Sequence, residues 1–292
     1  MSAALIFCLE QEELMKKFLF FFLVLILAAG FVAAQDLGLT AGLEFGIGNV
    51  NKANDDDMYP YLMPMVIYEN AFLDGALDLY AELDYTFGFT KAINEDGKEV
   101  LPQSLYFDFM LGYNLSLGSA STLSFILENE FDEFIFSPRY KESNNLTGIF
   151  TPAVKFNQEF GFGDLYAKIG VPITYVQYYK DADAVIGLDF TAGWNSAFGL
   201  GIETIFYTQI APSDGAGYLG LEAIVSYETG PLYFELDTCV PGKISEEGLT
   251  ITPEVDYTFG NFTFYAFFEF AGMGIDGGKV SITPALGVKY SF

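Results

Sequence analysis

The sequence predicts an all-β protein, built as one antiparallel up-and-down β-barrel of about fourteen strands. Three observations predict it. From Leu37 onward apolar residues return at every second position in successive runs, the period of a strand whose two faces meet different surroundings. The 292 residues include 31 Phe, 19 Tyr and 30 Gly, a usage suited to short-stranded β architectures. The connectors alternate between longer polar segments and tight turns, as strands running up and down around a barrel require.

Taken in order, the runs are 37–48, 59–69, 75–90, 103–117, 122–136, 148–160, 164–179, 185–195, 198–210, 217–228, 231–241, 249–259, 261–273 and 279–292. The third is the plainest. In "GALDLYAELDYTFGFT", Leu77, Leu79, Ala81, Leu83, Tyr85, Phe87 and Phe89 fall on one face, and Asp78, Tyr80, Glu82, Asp84 and Thr86 on the other. The second is apolar on both faces, so its orientation stays open. The fifth shifts phase near Asp132 and Glu133, which a β-bulge explains. Longer connectors such as "NVNKANDDDM", "KAINEDGKEVLP" and "SPRYKESNNL" alternate with short ones such as "GSAS", "GFGD", "NSAF", "ETG" and "GN".

Two hairpins look duplicated: "TPAVKFNQEFGFGDLYA" at 151–167 is echoed by "TPEVDYTFGNFTFYA" at 252–266. Pro60, Pro64, Pro152, Pro172, Pro253 and Pro284 fall inside runs, where each removes a ladder hydrogen bond. They are expected to mark bulges or strand ends, and strand counts from twelve to sixteen are compatible with them.

Charge separates the faces. The faces carrying Leu, Phe, Val and Ile are nearly free of charge in mid-strand. The opposite faces carry sixteen acids: Glu44, Asp78, Glu82, Asp84, Asp108, Glu128, Glu130, Glu159, Asp189, Glu203, Glu222, Glu235, Asp237, Glu254, Asp256 and Glu269. Only Lys155, Lys168 and Lys289 oppose them. A charge facing lipid at mid-membrane costs up to ~2–4 kcal/mol, so in a membrane barrel these nineteen residues line the lumen and the apolar face meets lipid. A soluble two-sheet sandwich would show the same alternation with the apolar face inward. The length and number of the runs favour the barrel, as do aromatic residues near the run ends: Trp194, Tyr227, Tyr257, Phe259, Phe262, Tyr290 and Phe292.

The N-terminal stretch "MKKFLFFFLVLILAAGFVAAQ" has the order of an export signal: Lys16 and Lys17, an apolar run from Phe18 to Ala29, then Val32-Ala33-Ala34 before Gln35. Residues 1–34 are therefore expected to be a signal peptide and 35–292 one barrel domain. A membrane-anchoring helix is the competing interpretation of Phe18–Ala34. Glu10, Glu12 and Glu13 suit no signal n-region, so Met15 is the expected true start.

Several functions are disfavoured. The net charge of −26 would repel the phosphates of nucleic acid. Without histidine the chain lacks Ser–His and Cys–His machinery and His-ligated zinc. Of its two cysteines, Cys8 lies in the expected leader, which leaves Cys239 without an intramolecular partner. Asp55-Asp56-Asp57 lacks the turn-spaced ligands of a calcium loop. No catalytic residue, metal or cofactor is expected.

The chain closes on "KVSITPALGVKYSF", alternating to a terminal aromatic residue. With the export signal and the strand series, this ending resembles that of bacterial outer-membrane β-barrel proteins of the porin-like kind. The matching residues are Val288, Tyr290 and Phe292. The resemblance implies that these three guide recognition by the barrel assembly machinery during biogenesis. It also implies an outer-membrane lipid surround, short periplasmic turns and longer extracellular loops. A barrel of this size encloses more space than a filled eight-stranded one. The leading expectation is a passive channel for small hydrophilic solutes, preferring cations. The alternative is a non-conducting structural or surface-display barrel, whose loop charges Asp55–Asp57, Arg139 and Lys141 would be its working surface.

Overall fold

The computed structural model describes residues 38–50, 58–89, 92–93, 99–100, 103–132, 147–176, 185–210, 217–242, 248–275 and 278–292. The expected leader, the triplet Asp55–Asp57, the phase change at Glu133, and Arg139, Lys141 and Tyr178 lie outside the described residues.

Fourteen antiparallel strands form one closed sheet. They are β1 Leu39–Gly48, β2 Tyr59–Phe72, β3 Leu77–Gly88, β4 Gln103–Ser116, β5 Ser121–Asp132, β6 Thr147–Phe160 and β7 Gly163–Gly170 continued by Ile173–Val176. Then follow β8 Val185–Ser196, β9 Leu200–Ile210, β10 Gly217–Thr229, β11 Leu232–Val240, β12 Leu249–Phe259, β13 Phe262–Met273 and β14 Ser281–Ser291. Every strand pairs with its neighbours in sequence, and β1 pairs with β14 from Thr40↔Ser291 to Gly46↔Ala285. The ladder continues to the last residue, where the Phe292 N–H donates to the Leu39 carbonyl at 2.9 Å. A two-stranded ribbon, Ala92–Ile93 with Glu99–Val100, stands apart from the barrel in the β3–β4 connector.

The tight turns gather at one end of the barrel, which also holds both ends of the described chain. Gly230-Pro231 and Gly260-Asn261 are two-residue turns whose first residue has φ of 59° and 61°. Positive φ at that position matches the right-handed twist of the flanking strands, and glycine adopts it without strain.

The prolines meet the expectation in part, Pro60 and Pro172 falling at strand ends. Pro60 stands at the start of β2, but Pro64, Pro152, Pro253 and Pro284 sit in strand interiors without shifting register. A strand residue points its N–H toward one neighbour only, so proline costs the bond on that side alone. Accordingly β2 pairs without a break to β1 across Pro64, while the pairing to β3 is interrupted at Met63 and Pro64. Pro172 splits β7, yet Gly170↔Asp189 before it and Ile173↔Ile186 after it keep one register. The Pro172 carbonyl still accepts from the Gly187 N–H at 2.8 Å. Among the described pairings, a register shift lies between β12 and β13 at Leu249/Ile251, two residues before Pro253.

Candidate functional site

Cross-strand register decides which side chains share a face, because directly paired residues point to the same side of the sheet. Rows such as Glu82–Asp108–Glu130, Glu203–Gly193–Tyr166 and Glu235–Glu254 link strand to strand around the barrel. Followed through all pairings, they put the sixteen acids and Lys155, Lys168 and Lys289 on one face. That face is the inner one. Most of the buried polar residues lie on it: Thr191 at 4%, Glu44 at 5%, Thr151 at 7% and Ser124 at 9% exposed. The outer face carries Phe45, Leu83, Phe125, Leu188, Phe206 and Leu286, all among the exposed large apolar residues. A soluble sandwich would bury such a face, so the apolar-inward alternative does not fit.

Among the described residues no large side chain is fully buried, in contrast to the filled interior of an eight-stranded barrel. The inner wall is thickened locally instead. β2, whose orientation the pattern left open, directs Tyr61, Met63, Met65 and Ile67 inward, because they pair through β1 and β3 with Gly46, Glu44, Gly42 and Glu82.

Glycine makes room for aromatic rings on this wall. Gly287 faces Tyr265 across the β13–β14 pair, and a Cβ there would fall 2.2 Å from the ring. The ring therefore lies flat across β14, and its hydroxyl donates to Glu44 Oε2 on β1 at 2.9 Å. Tyr61, opposite Gly46, donates to Glu44 Oε1 at 2.9 Å. The first strand's carboxylate is thus held from both sides of the β1–β14 seam. Tyr166 repeats the arrangement over Gly193, its hydroxyl donating to Glu203 on β9. Tyr207 lies over Gly220 and meets Cys239 Sγ at 3.2 Å. These inward tyrosines lie against the wall, so they narrow the lumen less than projecting rings would.

The three inner lysines are held to the wall as well. Lys168 Nζ donates to both Glu128 oxygens, at 3.0 and 3.3 Å. Lys155 Nζ lies 4.3 Å from the Tyr166 ring centroid and Lys289 Nζ 4.8 Å from that of Tyr265. From β10 to β12 the wall carries Glu222, Glu235, Asp237, Glu254 and Asp256, with Glu235 directly opposite Glu254 and no lysine among them. One oxygen each of Asp84, Asp189, Asp237 and Asp256 is out of solvent contact without a hydrogen-bond partner.

Sequence reasoning missed Glu69, Asp164 and Glu228, which share the inner face at the tight-turn end. Their positions at or next to strand ends hid them, although carrying the alternation of each run to its last residue finds them. Trp194, Tyr227, Tyr257, Phe259, Phe262, Tyr290 and Phe292 all lie on the outer face toward that same end. Phe259 is 69% exposed, and Tyr290 packs edge-on against both Phe262 and Phe292 at 4.8 and 4.7 Å.

No protein-family model matches the chain, and no curated protein does. Among solved structures, mutant forms of the porin of Rhodopseudomonas blastica are similar in fold. One has a TM-score of 0.42 at 10% identity, another 0.42 at 9%, and a triple mutant 0.40 at 8%. Each alignment covers 87% of this chain and 99% of the porin.

Proposed function

We propose that the protein is a bacterial outer-membrane channel for passive diffusion of small hydrophilic solutes, with a lumen that prefers cations, and that it is not an enzyme. One observation carries this reading: among the described residues no large side chain is fully buried, and a closed fourteen-stranded barrel that side chains do not fill leaves room for water inside. The exposed apolar belt and the aromatic residues at its lower edge support a lipid surround, because leaving that area in water costs ~25 cal/mol per Å². The short turns are then periplasmic and the longer connectors extracellular.

Cation preference follows from nineteen acids against three lysines among the described residues of the inner face, with two of the lysines over tyrosine rings and the third paired to Glu128. Carboxylates placed directly opposite one another, such as Glu235 and Glu254, repel unless counter-cations occupy the space before them. Each permeating cation meets such a wall on entering. Conductance of the refolded protein in planar bilayers tests the channel. Stepwise ohmic openings are expected; a barrel that inserts and passes no current would make it a structural or display protein.

A further inference from the structure

One stretch of inner wall departs from the acidic pattern. Toward the tight-turn end, on β3 to β8, the cross-strand rows read Asn114–Ser124–Lys155 and Ser116–Thr122–Asn157–Tyr166, and the next pairs Asp164 with Asn195. Side-chain amides and hydroxyls here replace carboxylates. They line a recess of about 510 Å³, within the range of small-molecule sites. Small residues give it depth: Gly112 stands between Asp78 and Ile126 in the row above, and Gly75 and Ala76 form its lower rim.

Its polar groups fall into two sets. Asn114 is fixed, its Nδ2 donating to Asp78 Oδ2 at 2.6 Å and to the Gly75 carbonyl at 3.0 Å, while its Oδ1 accepts from Ser124 Oγ at 2.6 Å. The side-chain amides of Asn157 and Asn195 also line the recess, and no hydrogen bond to a described residue engages them. Each amide offers both donors and an acceptor.

We propose that this recess binds a neutral polyhydroxylated solute, a mono- or disaccharide, as it crosses the lumen. A hydroxyl-rich solute donates and accepts at once, as the free amides require. Asp74, Asp78 and Asp164 border the recess against Lys155, so an anion is repelled; Asp78 is already engaged by Asn114, and the two free amides supply the donors and acceptors that a neutral hydroxyl-rich solute uses. The solute's access to the recess rests on the channel reading; the chemistry of the recess does not.

The test uses maltose as probe and triethylene glycol as control, since ether oxygens accept hydrogen bonds and only the terminal hydroxyls donate. Single-channel current is recorded for the wild type and for an Asn157→Ala/Asn195→Ala double variant. Equilibrium dialysis of the folded, detergent-solubilised proteins with radiolabelled maltose runs in parallel. Maltose should interrupt the wild-type current and triethylene glycol should not. Relative to each protein's own open current, the double variant should hold maltose about thirtyfold more weakly, the loss expected for two hydrogen bonds. Maltose acting no more strongly than triethylene glycol, or equally on both proteins, overturns the proposal. So does tighter binding of gluconate or glucosamine than of maltose. A protein that passes no current yet retains maltose, and loses it in the double variant, upholds the site and refutes the channel. One that conducts and retains no maltose refutes the site and leaves the channel standing.

Discussion

Substituting Tyr265→Phe probes how the barrel closes. The hydroxyl it removes donates to a carboxylate that is 5% exposed and sits on the first strand, while the ring belongs to β13, so the bond spans the closing seam. Hydrogen bonds to charged groups contribute about 1.5–3 kcal/mol, and the phenylalanine ring still fits over Gly287, so little packing is lost. The variant should therefore be less stable by about 1.5–3 kcal/mol. Gly287→Ala should act on the same contact by a different route. Its Cβ would fall 2.2 Å from the Tyr265 ring and force it off the wall, at a cost of about 1–3 kcal/mol. Urea unfolding in detergent micelles, followed by far-UV circular dichroism, measures both. A double-mutant cycle of Tyr265→Phe with Glu44→Gln isolates the pair. A Tyr265→Phe variant within about 0.5 kcal/mol of wild type, the usual scatter of neutral surface changes, would refute the latch. So would a cycle with no coupling.

Three further outcomes are expected. Cys239 faces the lumen beside Tyr207, so a cationic methanethiosulfonate should label it faster than an anionic one, with the difference shrinking as salt rises; equal rates at low salt, measured by mass spectrometry, would contradict the acidic wall. Deleting Phe292 removes the bond to Leu39 and one ring, a loss of about 1.5–3 kcal/mol that a refolded barrel tolerates. Outer-membrane yield in cells should nevertheless fall sharply, and wild-type insertion would show that Val288, Tyr290 and Phe292 are only strand residues. N-terminal sequencing of membrane-extracted protein should begin at Gln35, and a retained Phe18–Ala29 segment would contradict cleavage.

Much of this barrel is legible in its sequence because a strand between lipid and water must alternate, and alternation survives in one dimension. The clean runs, such as 75–90, correspond to strands with nearly the expected bounds, and the charged positions share one face. β2 was not legible because the feature that orients it is not its own: Tyr61 and Met65 turn inward where Gly46 and Gly42 on β1 leave space. Pro64, Pro152 and Pro284 misled because a proline's cost depends on which neighbour loses a bond, a fact of pairing that no single strand records. The Glu44 latch and the amide recess were hidden for a related reason. Glu44 and Tyr265 are 221 residues apart, and the recess draws on six strands that only the closed register brings together.

The most direct test of the cation-preferring channel is the reversal potential of the refolded protein in a planar bilayer under a potassium chloride gradient. A sign showing that potassium crosses more easily than chloride is predicted, with the bias falling as total salt rises and screens the wall. A reversal potential of the opposite sign would contradict it.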